Sequence, residues 1–141
     1  MPAPDPRVPV VREWLAKADN DLKTAAHTLT LAKDCPTDTV CFHAQQCVEK
    51  YLKALLVYRA TAFPKTHDIR VLRALLPPRL RPKLESKVQD QLTRYATVLR
   101  YPGAGPDVPL AEARRAVAIA RRVRKDVRRH LPPAALRRAW K

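Results

Sequence analysis

The segment from Val40 to Leu55 constrains the fold most, because its apolar residues recur at helical spacing. Val40, Ala44, Cys47, Val48, Tyr51, Leu52 and Leu55 fall on one stripe of a helix. Gln46, Glu49, Lys50 and Lys53 form a second stripe on the same helix, with His43 one turn earlier. No segment alternates convincingly with the period of two that a half-buried strand requires. Two glycines against fourteen prolines point the same way. Hairpin turns lean on glycine, whereas helices joined by Pro-containing loops do not. The expected fold is an all-α, up-and-down bundle of four long helices plus a short helix.

The same periodicity places the remaining elements. Val11, Leu15, Ala18, Leu22, Ala25 and Leu29 predict helix one over 10–33. The turn Asp34-Cys35-Pro36-Thr37-Asp38 ends it and offers Thr37 or Asp38 as the next N-cap. Helix two follows over 39–58, and a short third helix over 68–76 stops before Pro77-Pro78. Pro82 suits the first position of helix four, whose stripe is Leu84, Val88, Leu92, Tyr95 and Leu99. Helix five spans 109–130, with Ala113, Val117, Ala120, Val123 and Val127 inward.

Residues 1–9 read as a Pro-rich arm, 10–131 as the bundle and 132–141 as a basic tail. A chain of 141 residues suits one domain. No apolar run reaches the roughly 20 residues of a bilayer span, and residues 1–9 lack the apolar core of a signal peptide. The expectation is a cytoplasmic protein without membrane contact. Cys35, Cys41 and Cys47 are odd in number and match no zinc spacing. Cys41 and Cys47 fall within a helical pattern, where a thiol behaves as a small hydrophobe. Neither metal nor cofactor is expected.

The formal net charge is +15, unevenly spread. From Arg100 to Lys141, twelve Lys and Arg face three acids, leaving +9 in the last third. A field of that sign attracts polyanions. Arg114, Arg121, Arg122, Lys125 and Arg129 fall on the side of helix five away from its apolar stripe, which predicts an exposed RNA-binding face. Gln46, Lys50 and Lys53 are expected to line a cleft that takes a phosphate, although Glu49 and Lys53 also form an i, i+4 pair in the favourable order. His67 stands at a helix entry. Arg100 closes helix four, where Tyr101 is held extended by Pro102.

Three motifs carry a family resemblance. Ala44-Gln45-Gln46-x-x-Glu49-Lys50-x-x-Lys53-Ala54-Leu55, Thr66-His67-Asp68 and the loop Arg100-Tyr101-Pro102 occur in that order. Together they resemble the HEPN domain family (higher eukaryotes and prokaryotes nucleotide-binding). The resemblance covers roughly residues 10–131. It implies a helical bundle that usually forms a homodimer and is sometimes paired with a small nucleotidyltransferase, as in a toxin–antitoxin pair. The expected ligand is nucleotide or RNA phosphate, with Gln46, Lys50, Lys53 and Tyr101 as ligand-binding residues. Some branches are metal-independent RNases that use an Arg, four to six intervening residues and a His across a dimer cleft. This chain departs from them, because Tyr101-Pro102 follows Arg100 and the next histidine is His130. Arg124 and His130 match the spacing literally, but at the tail of an Arg-rich helix where chance matches arise; even so, Arg124 falls among the inward positions. The favoured expectation is a phosphate-binding module or partner subunit. The alternatives are an RNase with His67 and Arg100 as catalytic residues, and a structural bundle without ligand. A shared site requires His67, Lys53 and Arg100 to lie close together.

Overall fold

The computed structural model describes residues 3–103 and 105–137, without the side chain of Arg100. Helix α1 spans Arg7–Thr28 and continues as a 3₁₀ segment, Leu29–Asp34. The central helix α2 spans Thr37–Tyr58, and the short α3 spans Ile69–Ala74. Helix α4 spans Ser86–Ala96, α5 spans Leu110–Arg128 and the single turn α6 spans Pro133–Leu136. Among the described residues there is no strand. The result is an all-α bundle of four long helices.

Helix α2 packs against α1, α3, α4 and α5. Every residue from Tyr51 to Leu56 is buried. The predicted stripes of α1, α2 and α5 meet at one core, joined by Leu92 and Tyr95 of α4. Such burial of Leu and Val side chains is the main favourable term in folding, at roughly 1.5–3 kcal/mol for each.

Several boundaries differ from the periodic reading. Helix α1 begins at Arg7, inside the predicted arm, and the Asp5 carboxylate just ahead of it accepts the Arg7 N–H at 2.9 Å. Neither Thr37 nor Asp38 caps α2. Thr37 is already helical, and its hydroxyl donates to the Val108 carbonyl at 2.6 Å. Asp68 is the N-cap of α3, accepting the N–H groups of Arg70 and Val71. Pro82 does not open α4. Residues 82–85 lie outside any helix, since the Pro82 carbonyl accepts from Arg73 Nε at 2.7 Å and the Leu84 carbonyl from Gln89 Nε2 at 2.7 Å. Those tertiary bonds hold the segment open, and the helix starts only at Ser86.

The end of α2 carries local strain. Thr61 N–H donates to the Leu56 carbonyl and Ala60 N–H to the Val57 carbonyl, both at 2.9 Å. This is the Schellman pattern, whose left-handed residue is usually glycine. Here it is Ala60, with φ 54°. An L-residue in that region costs about 1 kcal/mol relative to glycine. Ala60→Gly is therefore expected to raise the unfolding free energy by about 0.5–1 kcal/mol, read as a higher thermal midpoint. An unchanged or lower midpoint would show that the strain is absent.

Candidate functional site

The polar stripe of α2 is resolved into two separate, partnered clusters. Glu49, only 5% exposed at its side chain, accepts from Lys53 Nζ at 2.9 Å, His67 Nδ1 at 2.8 Å and Gln45 Nε2 at 3.1 Å. Gln45 Nε2 also donates to the His67 carbonyl at 3.1 Å, and Gln46 Nε2 donates to Gln45 Oε1 at 2.8 Å. The Lys53 ammonium lies 5.6 Å from the Trp14 ring and 5.7 Å from the Phe63 ring. Lys53 is thus a buried, paired cation and not a cleft residue. A charge taken out of water needs such a partner, and Glu49, one turn earlier, supplies it. Lys50 turns elsewhere, placing Nζ 2.5 Å from Asp21 of α1, which also bonds His43 Nδ1 at 2.8 Å. Gln46, Lys50 and Lys53 therefore do not share one cleft.

Burial pushes the Glu49 carboxyl up, but the hydrogen bonds from Lys53, His67 and Gln45 outweigh it and hold the group below its ordinary value. His67 is 56% exposed at its side chain, with Nδ1 committed to that carboxylate.

The backbone at Arg100 follows α4, toward the other end of α2 from Lys53. Helix α4 runs toward the N-terminal end of α2, where Tyr95 lies against Cys41 and donates to Glu112 at 2.5 Å. Leu99 and Tyr101, either side of Arg100, line a depression with Asp38 and Asp107. Lys53 lies roughly 22 Å further along α2 than Asp38, and Glu49 roughly 16 Å, at about 1.5 Å per residue. Tyr101 is 69% exposed. The Arg100 side chain itself lies outside the described part.

Positive charge gathers between α1, α5 and α6. A groove of about 570 Å³ is lined by Arg12, Lys23, Arg121, Arg124, Arg128 and Arg137, with Asp19 the one carboxylate among its described lining residues. A second groove, about 590 Å³, adjoins it through Leu22, Arg121, Arg124 and Arg128, and adds Lys125 and Arg129. Arg12 is anchored by Nε donating to the Ala134 carbonyl at 2.8 Å. At the junction, Arg124 Nε donates to Asp19 at 3.0 Å, and the buried Tyr51 phenol donates to the same oxygen. Burial and then the Asp19 carboxylate push the Tyr51 phenol upward. Burial opposes the Arg124 charge most strongly, but the bond to Asp19 together with the Asp19 charge and the Tyr51 phenol outweighs it and raises the pKa.

Arg114, Arg121, Arg122, Lys125 and Arg129 are all exposed, as the periodicity of α5 predicts. Arg121, Lys125 and Arg129 reach the grooves, whereas Arg114 and Arg122 line neither. His130 sits in the turn past α5 and also lines neither. Sequence reasoning missed Arg12, Asp19, Lys23 and Arg128. Its one usable signal was Arg124 on an inward stripe, but the partner stands 105 residues away, beyond any local pattern. Among the described residues, no group of three or more His, Cys, Asp or Glu is placed to hold a metal, and no helix is long and apolar enough to cross a membrane.

The HEPN domain family matches residues 11–130. The crystal structure of TT1696 from Thermus thermophilus is similar, with 30% sequence identity and a TM-score of 0.69. The similarity covers 86% of this chain and 98% of that one. No curated protein is significantly similar.

The buried Glu49 cluster yields an acid-dependent expectation. A carboxyl held below its ordinary 4.5 contributes stability that is complete above that pH and is lost as pH falls through the lowered value. Glu49→Gln leaves Lys53 without a counter-charge and is expected to cost about 3 kcal/mol near neutral pH. The gap between the two proteins should narrow below pH 4.5 in urea unfolding across a pH series. A gap that stays constant into acid would mean that Glu49 is not ionised in the folded protein.

Proposed function

The chain belongs to the HEPN domain family, and on that premise we propose that it binds the phosphates of RNA or a nucleotide in the basic grooves between α1 and α5. The carrying observation is charge. Arg12, Lys23, Arg121, Arg124, Arg128 and Arg137 line one concavity against Asp19, which Arg124 already neutralises. Each groove volume lies within the roughly 300–1,000 Å³ range of ligand sites. No aromatic residue is among the described lining of either groove. The described lining thus offers charge and not aromatic faces, which favours sequence-blind contact with the sugar–phosphate backbone.

A second reading, metal-independent RNA cleavage, is supported by His67. Its exposed imidazole is oriented by a buried carboxylate, the arrangement of a general base. At about 100° per residue, Tyr51 points roughly 160° away from Glu49 and Lys53 on α2, so this pair and the grooves face opposite sides of the helix. The cations of the grooves would then reach His67 only from a second chain. Exposed Val71, Leu75, Val98 and Tyr101 support pairing, with a second copy or with the small nucleotidyltransferase that the resemblance implies.

Fluorescence anisotropy with a single-stranded RNA oligonucleotide tests the binding, and incubation with total RNA in chelator, beside His67→Ala, tests the cleavage. Affinity should fall steeply with salt, at about 0.7 in the log–log slope per neutralised phosphate. Replacing Arg121, Lys125 and Arg128 together by Ala should flatten that slope by about 2 and weaken binding about tenfold or more. Unchanged binding in the triple variant would leave this charge as a solubility feature.

A further inference from the structure

Among the described cations of the grooves, Arg124 is held by a carboxylate on another helix, whereas Arg12 is held by the Ala134 carbonyl and Arg129 by Asp126 of its own helix. Arg121 and Lys125 are exposed on the rim of α5, where long side chains sample many rotamers. The Arg124 side chain is only 39% exposed, with Nε bonded to Asp19 of α1. Asp19 in turn receives the phenol of Tyr51, fully buried on α2. Three helices thus fix one guanidinium. The bond to Asp19 uses Nε with the Tyr51 phenol close by, and the terminal nitrogens can grip a phosphate side by side at the wall common to both grooves.

We propose that Arg124 is the fixed phosphate contact of the groove, and that Asp19 and Tyr51 are the residues that position it. This rests on the phosphate-binding reading above and deepens it. One backbone phosphate is held by the pre-oriented fork of Arg124, while the mobile cations of the rim settle on its neighbours. Less side-chain entropy is lost at Arg124 on binding, because folding has already removed it.

Positioning and simple attraction make opposite demands at Asp19. Asp19→Asn removes the only carboxylate among the described residues lining the groove, so attraction alone would tighten binding. Positioning requires it to weaken. Tyr51→Phe and Arg124→Lys change no charge, so attraction alone leaves both near wild type. Positioning requires the first to loosen the fork and the second to lose the paired contact.

The test is anisotropy with the single-stranded RNA oligonucleotide at several salt concentrations, using Arg124→Lys, Asp19→Asn and Tyr51→Phe, with Arg122→Lys as a comparison outside both grooves. Arg124→Lys should weaken binding about tenfold with the salt slope unchanged. Asp19→Asn and Tyr51→Phe should each weaken it about threefold or more, and Arg122→Lys should leave it as wild type. Thermal melting shows which variants remain folded. Should Tyr51→Phe unfold, Arg124→Lys and Asp19→Asn decide the matter. Salt-dependent wild-type binding that these two leave unchanged or tighter overturns the positioning and spares the phosphate-binding reading. Absence of wild-type binding even at low salt overturns both.

Discussion

Because α2 is packed against α1, α3, α4 and α5, each polar side chain it buries must be partnered or cost several kcal/mol. Gln45, Glu49 and Lys53 meet that demand among themselves and with His67, while Tyr51 meets it with Asp19 of α1. No buried side-chain nitrogen or oxygen among the described residues lacks a partner. The need for partners also fixes the register of the bundle. Asp19 and Asp21 set how α1 slides along α2, and His67 sets where the chain returns before α3. Apolar stripes tolerate small slips, whereas hydrogen bonds between charged groups do not.

The two sides of α2 consequently have different chemistry. On one side a carboxylate is surrounded by donors and capped by Trp14 and Phe63 through the Lys53 ammonium. On the other, a carboxylate faces a field of arginines and holds one of them in place through its Nε. The first arrangement stabilises the fold. The second leaves strong positive charge open to solvent beside a rigid anchor, as an anion site requires.

The core was legible in the sequence because helical periodicity is a local property. The stripes of α1, α2 and α5 could be read residue by residue, and so could the exposure of Arg114, Arg121, Arg122, Lys125 and Arg129 on α5. Lys53 was not legible as a buried residue, since Trp14 and Phe63, which cover it, come from other parts of the chain. Pro82 misled for the same kind of reason. Its preference for a helix start is real, but the Arg73 guanidinium holds its carbonyl and the segment stays out of the helix. The groove was hidden most deeply, because it exists only once α1, α5 and α6 are side by side.

The cysteines give the bundle an internal record of its own motion. Cys41 and Cys47 lie wholly inside the core. Burial pushes the Cys41 thiol up to about 12, and Cys47 is shifted in the same direction. A thiol reacts as its thiolate, so in the closed protein both are chemically silent. Cys35, only half-buried outside the helices, stays within reach of solvent and serves as a reference in the same molecule. Alkylation of Cys41 or Cys47 then proceeds only in the fraction of time α2 is uncovered. Comparing their rates with that of Cys35 would measure how often the central helix is laid bare, with no label added to the chain.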